Sequence, residues 1–280
     1  MNVRSARLWA PALVLVLALG VALAACAPGT STTSTASTTS TSNDSTTSAS
    51  AQSGATTGGS GGTQTDVSED EASPAQNVLN KVYTSVVNIV VDATIFGQKA
   101  EGVGSGVVYS SDGYILTNDH VVTLDGNVLT GQTITVNLST GESVPATLVG
   151  RDSMRDIAAI KIDKTGLQPI TFVPSGDVQL AEWAIVIGSP LDYRNSVTLG
   201  IISGLNRSFD LGNGQTLTGL VQMDAAVSPG NSGGGCFDTN GHFVGMPEIY
   251  LPPGQTGAEN ISFAIPADVV QSVAKTLVGK

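Results

Sequence analysis

The chain has 280 residues, of which 5% are aromatic and 12% charged, and its formal net charge at pH 7 is −11. Its few, scattered cations exclude a phosphate-binding face for nucleic acid, and the acidity favours solubility without naming a substrate. Two histidines and two cysteines make a structural zinc set implausible, and no cofactor is expected.

Arg4 and Arg7 precede an uncharged run, Leu8 to Ala25, which ends Leu23-Ala24-Ala25-Cys26. A basic start, an apolar middle and small residues before a cut predict a secretory signal peptide over 1–25. The ending resembles a bacterial lipobox, which makes Cys26 the lipidated first residue of the mature chain. An uncleaved anchor is the alternative, because such a run nearly spans a bilayer; both place the remainder outside the cytoplasmic membrane and tethered to it. Cleavage would take the charge to about −13. With Cys26 consumed, Cys236 has no partner and no internal disulfide is expected.

From Thr30 to Thr65, 23 of 36 residues are Ser or Thr. So little apolar surface cannot offset the entropy of ordering, and 26–72 is read as a disordered tether. The stretch from Cys26 to Ser73 has a root-mean-square reach of roughly 35–40 Å. The remaining residues, 73–280, are enough for one large domain or two fused halves.

Ser73-Pro74 caps and starts a short helix through Val78, Leu79 and Val82. Short β-rich runs follow, and we read strands at Val87–Ile95, Ser105–Ser110, Tyr114–Asn118, Thr133–Leu138, Ser143–Val149 and Ile157–Ile162. A connector, Asp163–Glu182, separates them from a second set at Ala184–Gly188, Val197–Ser203, Leu220–Asp224, Gly233–Asp238, Phe243–Tyr250 and Ile261–Ile265. Turn signals such as Ser111-Asp112-Gly113 and Thr239-Asn240-Gly241 punctuate both sets. Six strands and six more predict an all-β fold of two antiparallel barrels, about 85–165 and 180–266. A closing helix is read over 267–278, with Val269, Val270, Val273 and Leu277 on one face.

Three motifs carry chemistry. Pro229-Gly230-Asn231-Ser232-Gly233-Gly234 surrounds a serine with glycines, so a tight turn can aim the N–H groups of Gly230 and Ser232 at one spot. A serine hydroxyl becomes a useful nucleophile when a base takes its proton and such donors receive an oxyanion. The second is Thr117-Asn118-Asp119-His120-Val121-Val122, at the end of a predicted strand. His120 is preferred as base to His242, which follows the turn Thr239-Asn240-Gly241 and reads as solvated. The third is Asp156, which opens the apolar strand from Ile157 and can stand behind the imidazole. Asp152 reads as a solvated loop residue, and strand alternation is expected to point Asp119 away from His120.

Taken in order, these segments resemble the HtrA/Deg serine proteases. The resemblance rests on Gly104-Ser105-Gly106-Val107, Asp112 through Val122, Asp156-Ile157-Ala158, Gly188-Ser189-Pro190, Gln222-Met223-Asp224-Ala225-Ala226, Gly230 through Gly234 and Ile261 through Pro266. It covers about Val78 to Leu277. It implies a trypsin-like double barrel with the site in the cleft, and hydrolysis of peptide bonds through His120, Asp156 and Ser232 by way of an acyl-enzyme. Gly230, Asn231 and Ser232 then belong to the oxyanion loop, and Val227, Ile249, Tyr250 and Leu251 to the walls of the specificity pocket. That apolar set, with no acid at Ala226, implies cleavage after small aliphatic residues. The resemblance also implies unfolded or extended envelope proteins as substrates, and an oligomer, since relatives are often trimers.

Three departures stand out. Gly235 replaces a proline common in the wider class and is expected to loosen the loop. Asp119 stands where many relatives are neutral, and would raise the His120 pKa if it faced inward. The sequence stops at Lys280, where many relatives begin a peptide-binding PDZ domain, so capture through such a domain is not expected. The competing readings are a trypsin-fold binding module without chemistry and an adhesive surface module. Two smaller features read as structural: Gly102 through Gly106 leads into a strand, against a phosphate loop, and Cys236 reads as a buried small hydrophobe.

Overall fold

In a computed structural model of the chain, the described residues are 73–279 apart from 96, 125, 190–195, 212–213 and 252–258. The segments read as a signal peptide and a tether, with Cys26 as the expected lipidation site, lie outside them. Among the described residues, no helix is long and apolar enough to cross a membrane.

Helix α1 spans Pro74–Val82; the Ser73 hydroxyl caps it by accepting from the Gln76 N–H, and Pro74 occupies its first turn. Val78 and Val82 then face the core. Strands β1 (Val86–Ile95), β2 (Gln98–Val108), β3 (Tyr114–Thr117), β4 (Thr133–Asn137), β5 (Ser143–Asp152) and β6 (Ile157–Ile162) close into an antiparallel barrel of order β1-β2-β3-β6-β5-β4. Its interior is aliphatic: Ile89, Ile115, Val136, Ile160 and Ile162 are fully buried, each worth about 1.5–3 kcal/mol of apolar transfer.

The second half contains β7 (Thr171–Phe172), β8 (Trp183–Gly188), β9 (Ser196–Asp210), β10 (Thr216–Met223), β11 (Gly235–Phe237), β12 (His242–Tyr250) and β13 (Ser262–Pro266). The order is β11-β8-β9-β10-β13-β12-β7, and a β11–β12 pairing closes the first six into a ring. β7, in the stretch read as a connector, is an addition: it is two residues long and pairs in parallel with the start of β12. Helix α2 (Ala267–Val278) closes the chain and ends at Gly279 in the left-handed conformation. It buries Ala267, Val270, Val273 and Ala274, with Val269 and Leu277 at the margin.

A separate cluster forms the seam between the barrels. Val86, Val107, Leu116 and Ile157 of the first pack with Ile185, Ile187, Phe237 and Phe243 of the second. The rings of Tyr109, Phe172, Phe243 and Phe237 run along it edge to face, with centroids 6.2, 5.3 and 5.9 Å apart. The seam registers groups that are far apart in sequence.

Strand boundaries differ from expectation where side chains are absent or polar. β2 begins at Gln98 because its glycine-rich half pairs fully with β1, and the phosphate-loop alternative has no place there. A Cβ at Gly104 would meet Val121 at 2.5 Å and one at Gly106 would meet Ile115 at 2.7 Å, so close packing on the core explains both glycines. Gly235, expected to loosen the serine loop, is instead a buried residue of β11 paired with Ile187. A Cβ there would lie 2.4 Å from the Phe237 ring. Cys236 beside it is buried, and burial pushes its thiol up to about 12, which leaves it an inert apolar side chain.

Candidate active site

The strand carrying the histidine motif ends at Thr117, and a 3-10 turn, Asp119–Val121, sets His120 at the edge of the first barrel. Asp156 immediately precedes β6 and adopts a left-handed backbone, φ 53°, a conformation that Asp tolerates better than most residues. The turn brings its carboxylate back onto His120. Oδ1 accepts the His120 backbone N–H at 2.8 Å, and Oδ2 lies 2.6 Å from the ring Nδ1. The Asp156 carbonyl accepts from the Asn118 amide at 2.9 Å. Two contacts to one residue orient the ring, with Nδ1–H toward the carboxylate and Nε2 left to receive a proton.

Burial alone would lower the imidazole pKa, but the Asp156 carboxylate, its hydrogen bond and Asp119 together leave it above the ordinary value of 6.5. Burial likewise pushes Asp156 toward neutrality, and the His120 charge and hydrogen bonds outweigh it, so Asp156 lies below the ordinary carboxylate value. A 3-10 turn takes the place of strand alternation at Asp119, whose carboxylate is buried and paired with Arg151 Nε at 3.2 Å while its charge still acts on the imidazole. Burial lifts Asp119 to about 6, against the lowering effect of Arg151.

The other candidates are occupied elsewhere. Asp152 accepts the Met154 and Arg155 N–H groups at 3.1 Å each and pairs with the Arg155 guanidinium at 2.6 Å. His242 opens β12 with its ring 3.2 Å from Asp238 and 43% of its side chain exposed.

Ser232 comes from the second barrel, in the turn before β11, and is half-buried. Three contacts tie the turn to the first barrel and to β12: Ser105 N–H donates to the Ser232 carbonyl at 2.9 Å, Ser105 Oγ donates to the Gly230 carbonyl at 2.6 Å, and Gly233 N–H donates to Pro247 at 3.3 Å. Gly230 and Gly233 have φ of 100° and 82°, where a side chain is strained. A Cβ on Gly233 would also lie 2.3 Å from Thr117 Oγ1 and 3.0 Å from Asn118 N. Only glycine lets the serine turn lie against the segment leading into His120.

Within the turn, the N–H groups of Asn231 and Gly234 bond to Ser228 and Asn231 carbonyls at 3.0 Å each. Among the described residues, the N–H groups of Gly230 and Ser232 have no such acceptor. Asn231 therefore shapes the loop, and the two free donors are those of the residues flanking it.

Ser105, expected as part of a glycine-rich strand and of the first block of the resemblance, is a buried hub. Its hydroxyl accepts from Ser189 N–H at 2.8 Å as well as donating to Gly230, and its carbonyl accepts from Thr117 Oγ1 at 2.7 Å. A lone serine among glycines at the end of a core strand was its one sequence signal. Of the residues assigned to the specificity pocket, Val227 packs in the second barrel's interior, Ile249 and Leu251 border the seam, and Tyr250 is 38% exposed.

Residues 104–246 match the family described as trypsin-like peptidase domain. The chain is 38% identical over 181 residues to a probable periplasmic serine endoprotease, DegP-like, of Halomonas elongata, covering 64% of this chain and 36% of that protein. It is 36% identical over 217 residues to the serine protease PepD of Mycobacterium tuberculosis, covering 72% and 46% respectively. The chain thus spans less than half the length of these relatives. A solved HtrA-type protease with a tripeptide superposes with a TM-score of 0.64 at 31% identity, covering 74% of this chain and 64% of that one. Fold, matched segment and relatives agree, and the chain belongs to the trypsin-like peptidase family, with HtrA/DegP-type serine proteases as its homologues.

Proposed function

We propose that the protein is an extracytoplasmic serine endopeptidase in which His120, Asp156 and Ser232 act as a triad. The observation that carries this reading is the 2.6 Å His120–Asp156 contact, set beside a glycine turn that offers Ser232 and the two free N–H groups. In the reaction, Ser232 Oγ bonds to the scissile carbonyl carbon as its proton passes to His120 Nε2. The carbonyl oxygen becomes an oxyanion that the Gly230 and Ser232 N–H groups receive, a contribution of about 10²–10³ in rate for one such donor. His120 then protonates the leaving amine, and water, activated by the same ring, hydrolyses the acyl-enzyme. Asp156 holds the tautomer and stabilises the imidazolium.

The apolar residues Val227, Ile249 and Leu251 support cleavage after small aliphatic side chains. The relatives' periplasmic descriptions and the signal-like N-terminus support action outside the cytoplasm on misfolded or envelope proteins, with Cys26 as lipid anchor and a homo-oligomer, by resemblance a trimer, as the working form. Hydrolysis of unfolded casein by the full chain and by Ser232→Ala tests the reading: the parent is expected to cleave and the variant not. Equal, negligible turnover by both would instead leave a binding module with this fold.

A further inference from the structure

Glu248 lies directly after Pro247 in β12, at a place where the register slips. Pro247 pairs with Ala264 and Ile249 with Phe263, so Glu248 is the extra residue of a β-bulge. Bulges redirect a side chain that regular alternation would send elsewhere. Here the side chain is turned into the interior behind His120 and left only 6% exposed.

Its surroundings pose a hydrogen-bonding problem. Oε2 is fully buried, and among the described residues no N–H or O–H group donates to it. It lies 3.8 Å from His120 Nδ1, whose proton is directed to Asp156 at 2.6 Å. The Glu248 carboxyl instead faces Asp156: one ligand atom from each of His120, Asp156 and Glu248 lies within 4.8 Å of the other two. Two buried carboxyls this close, one with an oxygen that no donor reaches among the described residues, are not both ionised; one holds a proton.

The groups around the pair identify the acid. Asp156 is engaged by the His120 backbone N–H and ring. Glu248 faces Asp156, the charge of Asp119 also acts on it, and Arg151 is paired with Asp119 at 3.2 Å. We propose that Glu248 is held as a neutral carboxylic acid and donates its O–H to the Asp156 carboxylate, so that the second barrel supplies a positioning residue behind the acid–base pair of the first. In keeping with this, burial and the Asp156 charge both push Glu248 well above the ordinary carboxylate value.

This rests on the peptidase reading only for its kinetic consequence, and two tests stand apart from activity. In the full chain carrying Ser232→Ala, the His120 imidazole is titrated by NMR with Glu248 present and as Glu248→Gln. A neutral Glu248 leaves the His120 pKa within about 0.3 unit on this exchange, whereas loss of an ionised one lowers it by about one unit or more, the range for a charge at this distance. Infrared spectra of chain labelled with ¹³C-carboxyl glutamate are expected to show a label-shifted carboxylic-acid C=O band at neutral pH, which needs no variant to fold. Its absence, or a stoichiometric metal ion bridging Asp156 and Glu248 in the purified protein, overturns the proposal. In the active enzyme, Glu248→Leu, which lacks a donor, is expected to lower kcat about tenfold further than Glu248→Gln, with KM matched between them; equal kcat values would reject a donor role. No turnover by any variant or the parent would sink the peptidase reading while leaving the titration and infrared results to decide Glu248.

Discussion

The two barrels contribute to the site in different ways. The first is closed and aliphatic, with one register slip, between Leu148 and Gly150, and it delivers His120 and Asp156 already bonded to each other across one edge. The second is interrupted: β10 slips register against β9 three times, and β11 and β12 carry further irregularities. The break in β12 turns Glu248 inward. On the proposed mechanism, proton transfer is built into the His120–Asp156 pairing within one barrel, while the proposed nucleophile and oxyanion donors lie on a glycine turn braced from across the seam. Ser105 is the principal strut between the two.

The sharpest way to break the first barrel's contribution is Asp156→Asn. Its amide would favour the wrong imidazole tautomer, and the expected loss in kcat is about 10⁴-fold, with the oxyanion donors still in place and a fluorophosphonate reacting correspondingly slowly.

Ser105→Ala addresses the strut instead. It strands the Gly230 carbonyl and the Ser189 N–H in the interior, at a cost of about 1–3 kcal/mol in stability, measurable by denaturant unfolding. Because the oxyanion donors lose their register, kcat is expected to fall about 10–100-fold, within the range for a weakened oxyanion donor. The His120 pKa, read by NMR, should not move; if it does, the two contributions are not separable in this way.

Asp119→Asn is the mildest test. The Asp119 charge holds the imidazole up, so its removal lowers the His120 pKa. Hydrolysis requires the neutral ring and fails as pH falls through that pKa. The acid limb of kcat/KM should therefore begin above the ordinary imidazole value of 6.5 in the parent and move a few tenths of a unit to lower pH in the variant. A move to higher pH contradicts the electrostatic assignment.

What sequence disclosed follows the same division. In barrel one, β6 is a nearly continuous apolar run and was legible to the residue, with Asp156 standing out as the acid before it, whereas the polar, glycine-rich start of β2 was not legible. In barrel two, β9 runs to Asp210 through polar residues and β11 shrinks to three, because pairing there depends on partners that composition does not announce. His120 and the glycine loop were legible from rarity and spacing. The Asp119–Arg151 pair was not legible, because a 3-10 turn stands where strand alternation was expected. Glu248 escaped because a bulge overrode period two, although a proline inside a strand, followed by an acid, was a signal for such a break.

The central claim, that a base in one barrel activates an alcohol in the other, is tested most directly by fluorophosphonate labelling of the native chain, read by peptide mass spectrometry. The account requires a single adduct on Ser232, formed by the folded parent and lost in His120→Ala and after unfolding. An adduct on another residue, or equal labelling of Ser232 without His120, would contradict it.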